Sequence, residues 1–384
     1  MEHEELLHRC FRCGWCKFPT NFTDINCPSY LKYRFETYSP GGRMWLIRAY
    51  LNGEIKLTPR LYEIIFSCAT CRNCVEACAI PKIKDYLVDI IVAARHELVG
   101  GGVIPPSVRK YFMGINNYGN AFARPASERM NWAKGLPIPI YDGHEFLLYV
   151  GDEGAFDEVG ARMARSVASW MLAAGISFGV LGEVEIADGN DVKALGEKDL
   201  FERVARENIG KFNTAGVKKI ITLSPHAFNT MKNDYHTLGG DFAVYHYTQV
   251  MDRRRGASKA GAFNTRVAYH DPCYLGRWNQ EYLAPRNILQ SVKGLKLIEL
   301  DRAMGNALCC GGGGGNYYTD ILGSGAESSA RSRIREAGNT GVDIVAVSCP
   351  ICYKMLDDAL RDEGLVERMK VMEISEVLAV AGDA

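Results

Sequence analysis

The 384-residue sequence contains no apolar run near the ~18–20 residues that span a bilayer. Basic and acidic residues balance at 45 each, so no charge excess would attract the chain to nucleic acid or anionic lipid. The polar, charged stretch at residues 1–8 does not predict a signal peptide. Flavin and nicotinamide fingerprints and DNA-binding modules are also missing. These absences predict a cytoplasmic protein that binds no nucleic acid and contacts a membrane only through a partner.

Cysteine, in contrast, is abundant, with 13 residues. A disulfide framework and metal ligation are the two explanations for so many cysteines. Disulfide-rich domains are usually small and secreted, whereas this chain is long and groups its cysteines in runs with two-residue gaps. Such gaps allow several thiolates to converge on one metal centre. The pattern therefore predicts metal ligation.

Eight cysteines in the first 78 residues form two runs of the CxxCxxC type. In two-cluster ferredoxins the fourth cysteine of each run binds the other cluster. The predicted ligand sets for two 4Fe-4S clusters are Cys10, Cys13, Cys16 and Cys78 for the first cluster and Cys68, Cys71, Cys74 and Cys27 for the second. A pair of zinc knuckles is the alternative, although zinc sites usually use CxxC pairs rather than triplets. One departure is that proline follows Cys27 directly but comes after Cys78 only at Pro81.

The segments between and after these runs have helical patterns. Apolar residues recur at helical spacing in Arg43–Ile55 and in Tyr86–Leu98. Thr58 followed by Pro59 predicts a helix start, with threonine as the N-cap and proline in the first helical position. Residues 1–100 therefore predict a helical ferredoxin-type domain. Glycines and prolines throughout residues 101–145 predict a linker without long elements.

From residue 146 the pattern alternates between short apolar strands and amphipathic helices. The predicted strands are Phe146–Val150, Ser177–Leu181, Lys219–Leu223, Thr265–Tyr269, Lys296–Leu300 and Asp343–Val347, and the predicted helices are Glu158–Ala174 and Leu200–Ala215. This alternation predicts an α/β architecture with a largely parallel sheet.

The remaining cysteines are Cys273, Cys309, Cys310, Cys349 and Cys352. They follow or interrupt predicted strands, so we expect them in loops at one sheet edge, where open α/β folds bind ligands. Cys309-Cys310 opens into Gly311–Gly315, and glycine lets backbone approach a bulky inorganic group. A phosphate-binding loop is the alternative, but the run lacks the GK[ST] ending. The five cysteines predict a further metal centre.

The C-terminal cysteine pattern has an internal sequence repeat, earlier in the chain, that contains no cysteine. By spacing, GDEGAFDE (151–158), EIADGN (185–190) and SPHAF (224–228) align with DPCYLGR (271–277), LCCGGG (308–313) and CPICY (349–353). The five ligand positions of the earlier copy hold Asp152, Ala187, Asp188, Ser224 and Ala227. We therefore predict a first unit at 146–262 that has lost its cluster and a second unit at 263–384 that retains it.

The whole pattern resembles the D-type subunits of heterodisulfide reductases, in which regions equivalent to the C-type and B-type subunits are fused. It looks closest to the version associated with class II benzoyl-CoA reductase complexes. In this family an intact C…CC…CxxC module binds an unusual non-cubane four-iron cluster, and the five C-terminal cysteines match that motif one by one. The resemblance implies a fold of α plus α/β type. It would comprise a helical ferredoxin-type two-cluster domain and two α/β CCG-type modules related by a pseudo-twofold repeat.

The resemblance also implies cofactors and partners. The C-terminal motif would hold a further cluster, either non-cubane or cubane, with zinc as the alternative. The chain would be an electron-transfer subunit of a multi-subunit complex that includes a flavin-containing protein similar to the A-type subunits of heterodisulfide reductases. The alternative is a catalytic subunit that reduces a thiol/disulfide substrate at the single C-terminal cluster; a redox sensor or scaffold is a third. In the family two clusters facing one another cleave a disulfide, which the missing cysteines of the first unit put in doubt.

Two histidines lie close to these motifs. His226 belongs to the first unit's SPHAF segment and is the candidate proton donor, because a pseudo-twofold would turn it toward the remaining cluster. His270 directly precedes Asp271-Pro272-Cys273. A single histidine is more often structural than catalytic, and that interpretation stands beside the functional one for both.

Overall fold

The computed structural model describes residues 1–255 and 262–383. Its first 118 residues are helical, and the sequence predicts this for residues 1–100. The helices are α1 (Pro28–Tyr33), α2 (Pro40–Leu51), α3 (Pro59–Phe66), α4 (Asn73–Ala77), α5 (Leu87–Gly100) and α6 (Pro106–Tyr118). The predicted start of α3 is confirmed, because the Thr58 hydroxyl accepts a hydrogen bond from the backbone N–H of Leu61 at 3.2 Å. Helix α2 begins three residues before the predicted Arg43, since Ser39 caps it and Pro40 occupies its first position.

The prediction that residues 101–145 contain no long element is wrong. Helix α6 occupies thirteen of them. Pro106 stands in its first position, where the missing N–H costs nothing, so the proline pair starts a helix instead of breaking one. Gly119, with φ of 68°, ends it. Only short 3-10 turns follow before the first strand, at Ala126–Glu128 and Asn131–Ala133.

Two four-stranded parallel sheets form the rest of the described chain. The strands are β1 (Phe146–Tyr149), β2 (Phe178–Gly179), β3 (Lys219–Thr222), β4 (Ala243–His246), β5 (Ala262–Tyr269), β6 (Lys293–Leu297), β7 (Ile344–Val347) and β8 (Lys370–Glu373). The orders β2-β1-β3-β4 and β6-β5-β7-β8 are equivalent. Both sheets thus use the same crossover pattern. The predicted unit at 146–262 includes residues 256–261, which lie outside the described residues.

Helices connect the parallel strands, as parallel pairing requires. The first sheet is accompanied by α7 (Gly151–Phe156), α8 (Glu158–Ala173), α9 (Asn190–Ala194), α10 (Lys198–Thr214), α11 (Pro225–Asn233) and α12 (Tyr247–Arg253), and the second by α13 (Leu283–Gln290), α14 (Asn316–Thr319), α15 (Ser329–Asn339), α16 (Pro350–Asp362) and α17 (Ile374–Asp383). The central strand β7 is buried at every position, and all of its residues are accordingly apolar.

A buried arginine of the helical part, Arg95 in α5, ties the three parts together. Its guanidinium donates to the carbonyls of Phe66 and Cys68 at 2.7 Å each. It also donates to the carbonyl of Ala194 in the first unit at 2.7 Å and to that of Gly314 in the second at 3.3 Å. The loop after Cys68 is thereby held against the glycine run that follows Cys310.

Within the two described ranges, no helix combines the length and the apolar character needed to cross a membrane.

Candidate metal centres

All 13 cysteines lie in the described residues, and none forms a disulfide. Thiols that gather in a protein interior without bonding to one another are typical of metal ligation. The structure sorts them into three neighbouring groups, which are described in turn.

The first group surrounds Cys10, which follows the 3-10 turn at Glu4–Arg9. Burial raises the pKa of the Cys10 thiol, and nearby Cys78 and Cys13 raise it further. Burial also raises the pKa of Cys16 to about 12. Gly41 faces the same space, because a Cβ there would stand 3.8 Å from the Sγ atoms of both Cys10 and Cys16. A cavity edge kept free of side chains suits a bulky inorganic cluster.

The second group brings Cys27, at the start of α1, to the run that begins at Cys68. Burial raises the pKa of Cys74 well above its usual value, and the next contributions come from Cys68 and Cys71, followed by Cys16 and Cys27. Cys71 likewise lies close enough to Cys27 to raise its pKa, after burial. Cys27 therefore lies near the run that begins at Cys68, and Cys16 of the first group lies near it too. The crossed ligand sets themselves stay a prediction.

The third group consists of the five C-terminal cysteines, all buried. The Sγ atoms of Cys309 and Cys273 are 3.8 Å apart, and those of Cys310 and Cys352 are 3.4 Å apart. Two thiolates on one tetrahedral metal ion lie about 3.8 Å apart, given metal–sulfur bonds of about 2.3 Å. Hydrogen bonds from Cys309 and Cys352 lower the pKa of Cys310 well below its usual value. Because soft thiolates select iron–sulfur clusters or zinc, this donor set fits the expected metal centre.

Local structure explains why the cysteines converge. Cys273 follows β5, and Cys349 follows β7 as the N-cap of α16, with Pro350 in the first helical position. Cys352 lies in the first turn of that helix. Because β5 and β7 are parallel neighbours, both loops emerge at the carboxyl edge of the sheet, as predicted.

His270 joins this third group, although its sequence context favoured a structural role. A ring nitrogen of His270 and the Sγ atoms of Cys310 and Cys352 all lie within 4.8 Å of one another. The side chain is fully buried, and burial lowers its pKa, so the ring is neutral. The signals in the sequence were its place immediately before Asp271-Pro272-Cys273 and after a predicted strand.

The second and third groups meet at Cys71 and Cys309. A hydrogen bond with Cys309, together with burial, raises the pKa of Cys71 well above its usual value. The guanidinium of Arg277 lies beside both: it donates to the carbonyl of Cys71 at 2.6 Å and to that of Ala307 at 2.6 Å. Although burial opposes it, the thiolates of Cys71, Cys273 and Cys309 raise the pKa of this arginine. A fixed positive charge therefore stands between the two groups.

A cavity of about 450 Å³ opens beside the third group. Cys310 and Gly311 form part of its wall. The aromatic rings of Phe122 and Tyr317 and the side chain of Met355 also line it. It is large enough for a small organic molecule.

In the first unit, two of the five aligned positions make contacts that stabilise the fold. Asp152 pairs with Arg129 at 2.7 Å and accepts from the N–H of Ala121 at 2.8 Å. Ser224 caps α11 by accepting from the N–H of His226 at 3.2 Å.

His226 is buried against Asp191, with Nδ1 at 2.9 Å from the carboxylate, and its ring centroid lies 4.1 Å from that of Tyr274. Burial lowers its pKa, but the Asp191 carboxylate outweighs this and raises it to about 10. The ring thus stays protonated around neutral pH. Its role as a proton donor remains a prediction, but a pH dependence near 6.5 is not expected from it.

Two further carboxyl groups beside His226 make stability depend on pH. Burial raises the pKa of Asp188 to about 8 and that of Glu153 to about 7. Both therefore bind protons more tightly when folded, so the free energy of unfolding should fall as pH rises from about 4 and stop falling on their account near pH 7–8. His226 acts in the same direction. Its raised pKa stabilises the folded state fully below pH 6.5, and this stabilisation is lost as the pH rises toward 10. We expect a loss of roughly 1–3 kcal/mol between pH 6 and 9, measured by denaturant titration.

The matched variants for this pH dependence are Asp188→Asn and Asp199→Asn. Asp188→Asn should flatten the profile, whereas Asp199→Asn, at an exposed position of α10, should leave it unchanged. A profile that is equally steep in both variants would show that the Asp188 carboxyl is not the titrating group.

Comparison with known proteins agrees with this description. The 4Fe-4S dicluster domain family matches residues 6–80, and the cysteine-rich domain family called CCG matches residues 267–357. The probable iron–sulfur-binding oxidoreductase FadF of Bacillus subtilis is 33% identical over 83% of this chain and 46% of its own length. The EtfAB:quinone oxidoreductase of Syntrophomonas wolfei is 28% identical over 97% of this chain and 58% of its own length. The chain thus spans about half the length of these relatives.

Another relative matches along nearly its full length. The D-type subunit of the dihydromethanophenazine:CoB–CoM heterodisulfide reductase of Methanosarcina barkeri is 28% identical over 98% of this chain and 94% of its own length. The crystal structure of a hypothetical protein from Helicobacter pylori covers 100% of this chain and 73% of its own, with a TM-score of 0.59 and 13% identity, a likeness of fold alone. The chain thus has a 4Fe-4S dicluster domain at its start and a CCG domain near its end, and over nearly its full length it is an iron–sulfur protein similar to the D-type subunits of heterodisulfide reductases.

Proposed function

We propose that this chain is an iron–sulfur electron-transfer subunit of a multi-subunit oxidoreductase complex. The observation that carries the proposal is the meeting of Cys71 and Cys309 beside the buried charge of Arg277. Clusters held by the three cysteine groups would supply one-electron transfer. The chain itself sets their spacing, keeps water out of the second and third sites, and supplies a positive charge where negative charge accumulates.

The proposal assigns two 4Fe-4S clusters to the crossed ligand sets and one further four-iron cluster to the five C-terminal cysteines. It also relates the first unit (146–262) to the second (263–384) by a pseudo-twofold, which the equivalent strand orders of the two sheets support. In this arrangement the first unit is a structural copy that lacks ligands.

The proposal includes a partner that handles electron pairs. Iron–sulfur clusters exchange single electrons, so a two-electron donor needs a flavin or similar cofactor elsewhere. A flavin-containing protein similar to the A-type subunits of heterodisulfide reductases meets this need. The Syntrophomonas wolfei relative is named EtfAB:quinone oxidoreductase, and this name supports an oxidoreductase that works with a further protein. Membership in a class II benzoyl-CoA reductase complex stays a prediction.

Arg277 provides the test. Removing its charge in Arg277→Gln should destabilise the reduced state of both adjacent centres. A unit charge at ~5–10 Å and an effective dielectric constant of ~20 is worth ~2–3 kcal/mol, or roughly 100 mV for one electron. We expect the potentials of the second cluster and of the C-terminal centre to fall together, while the first cluster changes little. Potentiometric EPR titration measures all three.

Arg277→Lys is the control for this experiment, because it keeps the charge and loses the planar fork that binds two carbonyls. Its potentials should stay close to those of the unmodified protein. If Arg277→Gln shifts neither the second cluster nor the C-terminal centre, the two groups are not electrostatic neighbours and the proposed transfer between them has no structural support.

The catalytic alternative is favoured by one observation, the cavity whose wall includes Cys310. In that function a disulfide bound there would take up two electrons and two protons and leave as two thiols. The test is turnover of disulfides by the purified protein with an artificial one-electron donor. Turnover that is lost on narrowing the cavity with Ala330→Phe would support the alternative, and no turnover with any disulfide tried would reject it.

A further inference from the structure

His270 is held rigidly at the edge of the C-terminal centre. It directly follows β5, and its backbone N–H donates to the carbonyl of Ala346 in β7 at 2.9 Å. Its side chain has no exposed surface. The ring therefore cannot turn to solvent, and whatever satisfies its two nitrogens must come from the interior.

Neither nitrogen of that ring has an oxygen or nitrogen partner among the described residues, and the polar group that interacts with the ring most strongly is the Cys310 thiol. Two of the nearby polar groups are engaged elsewhere: Asp271 is bound by Arg286 at 2.6 and 3.0 Å, and the Tyr269 and Ser348 hydroxyls pair at 2.6 Å. A third, the buried Arg333 guanidinium, lies close enough to lower the pKa of His270 and carries only donors, two of which are unpaired. Leaving a buried polar group unsatisfied costs ~1–3 kcal/mol. The metal-ligating atoms within 4.8 Å of the ring are the sulfurs of Cys310 and Cys352.

Two other buried histidines, in contrast to His270, have an oxygen partner for a ring nitrogen. His226 pairs with Asp191 at 2.9 Å, and Nδ1 of His246 pairs with the Thr248 hydroxyl at 2.7 Å. The chain thus provides oxygen partners for its buried imidazoles at those two places. At His270 it provides thiols, which are metal ligands, in their place.

We propose that His270 is a sixth protein ligand of the C-terminal centre and binds through a ring nitrogen the metal ion that Cys310 and Cys352 also approach. This inference rests on the proposed metal site and extends its ligand set beyond the five cysteines. Neutral imidazole is a ligand for both iron and zinc.

The test is pulsed EPR of the C-terminal centre in anaerobically purified full-length protein, prepared with ¹⁴N- or ¹⁵N-labelled histidine. A directly bound nitrogen gives a strong hyperfine coupling that changes with the isotope. We expect this coupling in the unmodified protein and in His246→Gln, and its loss in His270→Gln with the iron content kept. His246 is the matched control, because it is equally buried and ends a strand of the first sheet.

Several outcomes would overturn the inference. No histidine coupling in the unmodified protein, or only the weak coupling of a hydrogen-bonded ring, rejects ligation whether or not His270→Gln folds. A coupling that survives in His270→Gln assigns it to another residue. If the protein instead holds about eight irons and one zinc, the proposed cluster fails. His270 is then tested by zinc X-ray absorption, where a nitrogen shell at ~2.0 Å beside sulfur at ~2.3 Å supports ligation and sulfur alone rejects it.

Discussion

Replacing Cys349 by alanine should remove the C-terminal centre and lower the iron content from about twelve to about eight per chain. Cys349 is the N-cap of α16, and Cys352 lies one turn along the same helix, so the two thiols form a rigid pair. Without the Cys349 thiol, Cys352 alone cannot hold the metal centre at this helix. Iron and acid-labile sulfide analysis of anaerobically purified protein measures the loss.

The chain offers a matched control at the aligned position of the first unit. Ser224→Ala removes the cap of α11 and should cost ~1 kcal/mol of stability while iron stays at about twelve. Iron loss in both variants would point to general unfolding or to a ligand role for Ser224. Unchanged iron in Cys349→Ala would contradict the C-terminal ligand set.

Replacing Cys78 by alanine should destroy the cluster built on Cys10, Cys13 and Cys16, although Cys78 belongs to the later run in the sequence. The reason is spatial: Cys78 lies close enough to raise the pKa of Cys10, and Cys13 in turn raises that of Cys78, after burial. Iron should fall to about eight, with the second cluster and the C-terminal centre retained. Cys27→Ala is the reciprocal variant and should damage the second cluster.

The two variants can be told apart by magnetic coupling. Because Cys71 contacts Cys309, the second cluster should couple to the C-terminal centre in EPR spectra of the reduced protein. That coupling should persist in Cys78→Ala and vanish in Cys27→Ala. The reverse result would refute the crossed ligand sets and assign each fourth cysteine to its own run.

The sequence was most informative where the signal is local. The Thr58 cap depends on one or two neighbouring residues and was predicted correctly. The strands were found with shifted ends, as for β6, which begins at Lys293 instead of Lys296. The helix α6 was missed because prolines were interpreted as breaks, while Pro106 occupies the one helical position that tolerates proline.

Features that depend on packing between distant segments could not be predicted from the sequence. The contact of Cys71 with Cys309 joins residues more than two hundred positions apart, and nothing in either motif specifies it. The same holds for Arg277 and for His270, whose role depends on which sulfurs face it. An arginine and a histidine have no spacing pattern of the kind that made the cysteines conspicuous.

The central claim, three four-iron clusters on thirteen cysteines, is tested most directly by counting metals in the anaerobically purified full-length chain. Elemental analysis of iron and zinc, referred to protein by amino-acid analysis, gives the count. We expect about twelve irons and no zinc per chain. About eight irons with one zinc would contradict the C-terminal cluster, and about four irons would contradict the two-cluster ferredoxin domain.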